Sequence, residues 1–238
     1  MTSLGLAWSF LTAFPGPRQG AAEPHDFALS QAWYPLVGAI LGLSWWAVAE
    51  GASLLHASPL LRAVAILAAM LLSTGFLHLD GLLDCGDALL LPKSPEDRLR
   101  VLKDVHLGAF AFGTGTLWML AMIATLSDLR DARLLIAIPT LSRGILLLPM
   151  HAIPYARSSG TYGASIAIPR ATWILPALCV LAAASFFPFE AAAVLAAQIL
   201  FAWWASRRLG GGITGDVYGA ALCVSELAAL LVHALGAR

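Results

Sequence analysis

Three aspartates follow a long apolar segment at the spacing of one helix face. Asp80, Asp84 and Asp87 stand at positions i, i+4 and i+7 of LHLDGLLDCGDALLL (77–91). If the helix that begins near Pro59 continues through this stretch, the three carboxylates share one narrow stripe. Like charges one turn apart repel each other and need a compensating cation. Carboxylate ligands suit Mg²⁺ or Mn²⁺ better than zinc. The apolar residues on the opposite side are Leu79, Leu82, Cys85 and Leu89.

A fourth carboxylate is available a short distance further along the chain. Asp104 follows Lys103 and precedes Gly108, where a new apolar segment begins, so we expect it to lean back over the same membrane entrance. Four carboxylates suffice to hold two divalent ions, which can clamp a diphosphate during an in-line displacement. The alternative is a solvated helix end without a metal. The predicted metal ligands are Asp80, Asp84, Asp87 and Asp104.

Several polar residues beside or inside apolar segments are candidates for phosphate binding. His78 lies two residues before Asp80 and can donate to a phosphate oxygen, complete a metal shell or simply lie at the membrane interface. Arg143 lies within LLIAIPTLSRGILLLPM (134–150). A cation there is costly unless paired, so we predict that it faces the interior and pairs with a phosphate or a motif aspartate. Glu50 and Glu226 are also intramembrane acids, which either snorkel or join helices.

The loop RRLGGGITGD (207–216) combines two cations, several glycines and a hydroxyl before the last apolar segment. Glycine lets backbone N–H groups approach an anion, and the start of a helix favours negative charge. The loop is not a Walker A motif, since no Gly-Lys-Ser/Thr closes it, and a flexible turn is the alternative. The predicted phosphate contacts are Gly210, Gly211, Thr214, Gly215 and Asp216.

Composition indicates an integral membrane protein. Of 238 residues, 59% are hydrophobic and 12% are charged, against roughly 25% charged in a soluble domain. Lys plus Arg and Asp plus Glu are equal at 14 each, which argues against a nucleic-acid surface. We predict one all-α domain over 1–238 and an N-terminal interfacial helix that ends at Pro15 and Pro17. The chain should cross the bilayer about seven times, with six or eight spans as alternatives, at about 34–55, 59–77, 108–126, 134–153, 171–188, 189–206 and 217–235.

The distribution of basic residues predicts the orientation, because Lys and Arg accumulate on the cytoplasmic side. With the N-terminus inside, the inner segments hold nine of them and the outer segments four. This arrangement places the acidic stretch, the 155–170 loop and the 207–216 loop at the cytoplasmic face. Ser94-Pro95-Glu96-Asp97 predicts the capped start of a short cytoplasmic helix. The inner set is Arg18, Lys93, Arg98, Arg100, Lys103, Arg157, Arg170, Arg207 and Arg208, and the outer set is Arg62, Arg130, Arg133 and Arg238.

Taken together, these motifs resemble the cobalamin synthase family, the adenosylcobinamide-GDP ribazoletransferases of bacterial and archaeal membranes. The resemblance covers nearly the whole chain, and the His-x-Asp-Gly-x-x-Asp-x-x-Asp motif combined with the Thr-Gly-Asp loop is specific. Before Gly108 the family usually has Ser-Arg-Ile, whereas this chain has Val105, His106 and Leu107, so the resemblance implies that a phosphate contact of the family's Arg is either weakened or transferred to His106. Gly212 also stands where the family usually has a larger residue. The segments that carry the resemblance are 10–12, 75–84, Asp87, 103–104, Gly108, 209–211 and 214–216.

The resemblance implies a Mg²⁺-dependent reaction in the bacterial or archaeal cytoplasmic membrane. The ribosyl hydroxyl of alpha-ribazole, or of its 5′-phosphate, attacks the cobinamide-side phosphorus of adenosylcobinamide-GDP, and GMP leaves. We expect Asp87 or Asp104 to act also as general base. Self-association and assembly with other enzymes of the pathway both remain open. The residues expected to bind phosphates are His78, Lys103, Arg143, Arg157 and the Gly210–Asp216 loop.

Two other classes of protein deserve comparison. CDP-alcohol phosphotransferases also use spaced aspartates and a metal, but their motif runs Asp-Gly-x-x-Ala-Arg, and here Asp84 and Cys85 occupy the Ala and Arg positions. A secondary transporter would require related halves with charges near the midplane. Here the acids cluster at one face, and the two halves do not match.

Overall fold

The computed structural model describes residues 2–16, 24–156 and 170–236. These residues form helices, with one isolated parallel bridge between Tyr155 and Ile213, so the predicted all-α class is confirmed. The single domain over 1–238 stays a prediction. The α-helices are α1 (Ser3–Leu11), α2 (Pro24–Ser30), α3 (Tyr34–Leu54), α4 (Pro59–Ser73), α5 (Leu77–Leu89), α6 (Pro95–Val101), α7 (Ala109–Ser127), α8 (Leu134–Ile145), α9 (Leu147–Ala152), α10 (Ile174–Phe186), α11 (Pro188–Arg208) and α12 (Gly215–Gly236), with 3₁₀ turns at Gln31–Trp33 and Arg170–Trp173.

Five helical segments in the described part of the chain are long and apolar enough to cross a membrane. α4 and α5 together would make a sixth, but they are bent by 90°. α10 has 13 residues, fewer than the roughly 20 that a straight span needs. A polytopic membrane protein is therefore confirmed, with five or six candidate spans among the described residues, where we expected about seven with six or eight as alternatives. The five segments are His25–Leu54, Ala109–Ser127, Leu134–Ala152, Pro188–Arg208 and Gly215–Gly236.

The helix that begins at Pro59 does not continue into the acidic stretch, so that prediction is wrong. α4 ends at Ser73, and Gly75 and Phe76 adopt left-handed backbone conformations, with φ of 60° and 61°, before α5 begins at Leu77. Both amides donate to carbonyls in the last turns of α4, which closes that helix. A left-handed non-glycine residue costs about 1–2 kcal/mol. Packing must therefore hold the turn that lays α5 across the bundle.

The centre of the bundle is α8. Every residue of this helix except Ile136 is buried, as expected for a helix enclosed by others. α3 packs closely against it because Gly42 has no side chain, and a Cβ there would lie 2.6 Å from the Ile136 Cα. α4 packs on α3 and α7, while α11 and α12 pack on each other and on α8. This close packing brings the polar residues of α8 into contact with α12.

The described parts of three connections that we predicted to share one side of the membrane lie at one end of the bundle, with residues 157–169 outside the described part of the chain. The Ile213 amide donates to the Pro154 carbonyl at 3.0 Å. Arg98 in α6 donates from Nη1 to the Arg208 carbonyl at 3.1 Å. The acidic helix α5 ends beside the same group of contacts, because Arg208 Nη1 donates to the Leu89 carbonyl at 2.6 Å. These arginines supply donors to helix carboxyl ends, where cations are favoured.

The two short helices predicted from cap signals are present. α1 ends at Leu11, four residues before Pro15, and Pro17 lies outside the described residues. Since Leu11 is buried by the protein, α1 packs on the bundle, and its place at the membrane surface stays a prediction. Ser94 caps α6 by accepting the Asp97 amide at 3.2 Å, which confirms that predicted start.

Candidate active site

The acidic helix α5 lies across the first turns of α7 and α12. A Cβ at Gly81 would be 2.6 Å from the Asp216 carbonyl oxygen, and one at Gly86 would be 3.2 Å from the Ala111 Cα. These close approaches leave Asp80, Asp84 and Asp87 along the side of α5 that is not buried, while the predicted apolar face is buried. The positive ends of the α7 and α12 dipoles therefore lie near the aspartates and offset part of their repulsion.

A cavity of about 290 Å³, which we call the acidic cavity, lies between α5, α6 and the start of α7. Asp84, Asp87 and Asp104 line it together, so the predicted return of Asp104 towards α5 is confirmed. Lys93 and His106 line it as well, and they supply the cationic and hydrogen-bonding groups that phosphate oxygens require. The rest of the lining consists of Leu91, Val101, Leu107, Gly108, Ala109 and Phe110.

Asp87 has a structural role that the sequence pattern did not indicate. Its Oδ2 accepts the Gly108 amide at 2.6 Å, and its Oδ1 accepts the Ala111 amide at 2.9 Å. These amides belong to the first turn of α7, which has no partners of its own for them. Asp87 thus caps α7 from a neighbouring helix and fixes the end of the connection that carries Asp104.

Asp104 is hydrogen-bonded to His106, and this contact favours its charged form. His106 Nδ1 lies 2.6 Å from Asp104 Oδ1, and the His106 amide donates to the same oxygen at 3.1 Å. The His106 ring and then its amide lower the pKa of Asp104, and the Lys93 charge adds to this effect. A carboxylate with a lowered pKa is a weaker proton acceptor but a readier cation ligand.

A second cavity of about 150 Å³, the inner cavity, lies at the junction of α5 with α12. Its polar residues are His78, Asp80 and Asp216. The remainder of the wall is largely apolar or aromatic, which is typical of a site for an organic ligand. The other lining residues are Phe10, Leu11, Leu77, Gly81, Leu146, Met150, Gly215, Tyr218, Gly219 and Leu222.

The four predicted metal ligands are thus divided between two cavities. Asp84, Asp87 and Asp104 line the acidic cavity, and Asp80 lines the inner cavity. Within the part of the chain that the structure describes, no three His, Cys, Asp or Glu side chains converge as a metal-binding group. The acidic cavity nevertheless offers hard oxygen donors, and Mg²⁺ is commonly bound by one or two carboxylates with phosphates and water supplying the other ligands. Its residues therefore suit a cation that arrives with a diphosphate.

The glycines of the 207–216 loop divide into two groups. Gly210 and Gly211 have φ of 80° and 105°, and the Gly211 amide donates to the Ser206 carbonyl at 2.8 Å, so they terminate α11. Gly215 and Asp216 instead begin α12 and line the inner cavity. Thr214 is buried, and its hydroxyl donates to Asp216 Oδ2 at 3.1 Å. Among the predicted loop contacts, Gly215 and Asp216 are therefore best placed to contact a ligand.

The predicted cationic contacts have different positions. Lys103 is exposed and lies outside the linings of both cavities, whereas Lys93, which we had not selected, lines the acidic cavity. Lys93 directly follows the acidic stretch in LPKSPED (91–97), and this proximity was the available signal. Arg157 lies outside the described residues.

Arg143 faces the protein interior, as predicted, but its acidic partner is not a motif aspartate. Its Nη1 lies 2.6 Å from Glu226 Oε1, and the guanidinium is fully buried. Glu226 is therefore a helix-pairing residue that joins α12 to α8. On its other side Arg143 lies against His78, with Nη2 3.5 Å from Nδ1. Arg143 does not line the inner cavity itself, but it contacts His78, which does.

The fold and site define a polytopic helical membrane protein with two neighbouring cavities. One is lined by acidic and basic side chains, and the other is more apolar. The family model for cobalamin-5-phosphate synthase matches residues 3–234 of this chain. The chain therefore belongs to the cobalamin-5-phosphate synthase family. No solved structure matches it.

Three relatives of the chain, from different bacteria, carry the name adenosylcobinamide-GDP ribazoletransferase. The protein of this name from Deinococcus radiodurans is 38% identical over 98% of this chain and 86% of its own length. The one from Desulfitobacterium hafniense is 38% identical, with 97% and 96% of the two chains covered. The one from Pseudomonas aeruginosa is 36% identical over 99% and 98%. The similarity thus includes both cavities.

Proposed function

We propose that the protein is an adenosylcobinamide-GDP ribazoletransferase. It transfers the adenosylcobinamide phosphate group from adenosylcobinamide-GDP to the ribosyl hydroxyl of alpha-ribazole, or of alpha-ribazole 5′-phosphate, with release of GMP. Family membership over residues 3–234 and the shared name of the relatives support this activity. The observation that carries it is the pair of cavities on α5, one lined by three aspartates and the other largely apolar.

The acidic cavity is the proposed site of the diphosphate. Asp84, Asp87 and Asp104 would hold Mg²⁺, or Mn²⁺ in its place, and Lys93 and His106 would contact phosphate oxygens. When bound, the cation supplies positive charge for the phosphate oxygens and for the leaving GMP. Lys103 is exposed near the rim and would contact the outer part of the nucleotide.

The inner cavity is the proposed site of the acceptor. Its apolar and aromatic wall suits a flat heterocyclic base, and His78, Asp80 and Asp216 supply the few polar contacts that orient a ribose. Asp80 and Asp84 are four residues apart on α5, about 6 Å along the helix axis. A hydroxyl in the inner cavity would therefore lie close to a phosphorus in the acidic cavity.

The transfer is a displacement at phosphorus. The acceptor hydroxyl oxygen forms a bond to the cobinamide-side phosphorus, the bond from that phosphorus to the bridging oxygen breaks, and GMP leaves with the electron pair. The hydroxyl proton passes to a carboxylate, for which Asp87 and Asp104 remain the candidates. The lowered pKa of Asp104 weakens it as a base and favours it as a cation ligand.

The proposed location is a bacterial cytoplasmic membrane with both cavities open towards the cytoplasm. The excess of Lys and Arg at the end of the bundle that carries the site supports this orientation. Adenosylcobinamide-GDP would then approach from the cytoplasm, while the surrounding bilayer covers the apolar outer faces of α7, α10 and α11. Self-association stays a prediction.

The test uses purified, detergent-solubilised protein with adenosylcobinamide-GDP, alpha-ribazole and Mg²⁺. Wild type should release GMP and form the ribazole-linked product only when the metal is present, and Asp84→Ala should form neither. Turnover of a CDP-linked lipid without turnover of ribazole would favour the rival phosphotransferase. Movement of a solute across vesicles without covalent change would instead indicate a transporter.

A further inference from the structure

A buried ion pair touches the histidine of the inner cavity from behind. Arg143 on α8 places Nη1 2.6 Å from Glu226 Oε1 on α12, and it places Nη2 3.5 Å from Nδ1 of His78 on α5. The Arg143 side chain is fully buried, and that of Glu226 is nearly so. Three helices are thus connected through one guanidinium.

The position of this guanidinium is closely determined. Ser142 Oγ lies 3.1 Å from Arg143 Nη1 and donates to Glu226 Oε1 at 3.0 Å. Gln198 Nε2 donates to the Ser142 carbonyl at 2.7 Å. The Trp45 ring lies 5.7 Å from the guanidinium carbon, at a distance where a cation is attracted to the ring. Buried ion pairs contribute little net stability compared with apolar residues of similar volume, so this cluster calls for another role.

That role follows from hydrogen-bond chemistry at His78. A guanidinium can only donate, so the ring nitrogen that faces it must accept. A hydrogen bond of this kind requires an Nδ1 without a proton, which places the proton of a neutral ring on the other nitrogen, Nε2. His78 lines the inner cavity with Asp80 and Asp216. A Cβ at Gly219 would lie 3.2 Å from the His78 Cα, so the backbone of His78 is also held against α12.

We propose that Arg143 is a positioning residue that fixes His78 as the neutral Nε2–H tautomer. His78 then donates from Nε2 to an oxygen in the inner cavity, either of the acceptor ribose or of the phosphoryl group in transfer. Glu226 keeps Arg143 in place and balances its charge. This assignment rests on the proposed function for the identity of the ligand, but not for the state of the ring.

The test of the ring state is ¹⁵N NMR of purified protein labelled with [¹⁵N]histidine, at one fixed pH. The signals of His78 are identified by their loss in His78→Gln. Wild type should show one protonated and one unprotonated ring nitrogen, with the proton on Nε2. The charge-neutral double variant Arg143→Met/Glu226→Met should show a mixture of tautomers. An unchanged Nε2–H tautomer in a folded double variant would overturn the proposal.

Two further variants separate positioning from folding. Arg143→Lys keeps a cation for Glu226 but lacks the planar fork that reaches His78, so it should show the same mixture even if the double variant fails to fold. Gln198→Met alters the same cluster without touching His78, so its tautomer should match wild type. A mixture in Gln198→Met equal to that in Arg143→Lys would mean a general loosening of the core, against the proposal.

The kinetic test is a cycle of variants. Arg143→Met/Glu226→Met should lower kcat by about 10- to 100-fold with little change in KM for adenosylcobinamide-GDP. The same double change should have almost no further effect in a His78→Gln background, because the path through His78 is already removed. If the loss of kcat from the double change multiplied with the loss from His78→Gln, the two would act independently and the proposal would be wrong. If wild type released no GMP, the proposed function would fail while the NMR result would still decide the tautomer.

Discussion

Asp87 and Gly108 join the acidic helix to the helix that follows it, since the Asp87 carboxylate accepts the Gly108 amide at 2.6 Å. The other Asp87 oxygen accepts the Ala111 amide. An aspartate that we predicted as a metal ligand and as one of two candidate bases is therefore also a helix cap. A carboxylate has further lone pairs, so the capping role is compatible with the predicted role as a metal ligand or base. A substitution at Asp87 is therefore expected to affect both stability and activity.

Asp87→Ala should lower the free energy of unfolding by about 1–2 kcal/mol, because two amides of the first turn of α7 lose their acceptor. Asp87→Asn keeps one carbonyl oxygen and should lose roughly half as much. Denaturant unfolding of the protein in detergent measures both. Asp128→Asn, at the exposed other end of α7, is the matched control and should stay within about 0.5 kcal/mol of wild type. Equal stability of Asp87→Ala and wild type would remove the capping role.

The close approach at Gly108 gives a second prediction with an internal control. A Cβ at Gly108 would lie 2.6 Å from both Asp87 carboxylate oxygens, whereas one at Gly113 in the same helix would meet nothing within 4 Å. Gly108→Ala should therefore destabilise the protein and lower activity, because Asp87 must move. Gly113→Ala should raise the melting temperature slightly, since alanine favours a helix by about 1 kcal/mol over glycine. The two substitutions should therefore change the stability in opposite directions. A Gly108→Ala variant as stable as wild type would contradict the close approach of Gly108 to Asp87.

Local spacing was enough to predict the acidic face of α5, because a period of 3.6 residues determines which side chains share a side. The Ser94 cap was predictable for a different reason, because serine followed by proline and two acidic residues is typical of a helix start. The 90° break was not, because Phe76 is an unfavourable residue for a left-handed conformation and nothing in its type signals the turn. That turn also explains the shortened span at α4.

Contacts distant in sequence were beyond the reach of pattern analysis. The need for an acidic partner of Arg143 was clear from the cost of a buried cation, but its identity as Glu226, 83 residues further along the chain, depends on how α8 meets α12. The division of the aspartates between two cavities likewise depends on Asp104 and Asp216 returning to opposite ends of α5. Helical spacing alone places the three aspartates of α5 on one face of the helix, and it cannot show which cavity each of them lines.

The pH dependence of activity should respond to His106. The His106 ring holds the pKa of Asp104 below its ordinary value, so Asp104 stays ionised as the pH falls and protonates only at lower pH. His106→Ala removes the ring but keeps the amide, and the pKa of Asp104 should rise towards its ordinary range. The acid limb of the profile of GMP release against pH should then move to higher pH. Val105→Ala, at the exposed neighbouring position, should leave it in place, and an unmoved limb in His106→Ala would exclude this role.

The two cavities predict two kinetic signatures along a single helix. Asp84→Asn and Asp104→Asn remove ligands from the acidic cavity, so each should raise the Mg²⁺ concentration for half-maximal GMP release by about tenfold or more. Asp80→Asn alters the inner cavity, so at saturating Mg²⁺ it should raise KM for alpha-ribazole and leave the Mg²⁺ requirement near that of wild type. Glu96→Gln, exposed on α6 and outside both linings, should change neither quantity.

The measurement is a titration of each substrate and of Mg²⁺ against GMP release for these variants and wild type. If Asp80→Asn raised the Mg²⁺ requirement as strongly as Asp84→Asn, the four aspartates would act on a shared set of ions. The separation between a diphosphate cavity and an acceptor cavity would then be wrong. If Asp84→Asn instead raised only KM for alpha-ribazole, the substrates proposed for the two cavities would have to be exchanged. Asp84 lines the acidic cavity, so that result would place alpha-ribazole in the acidic cavity.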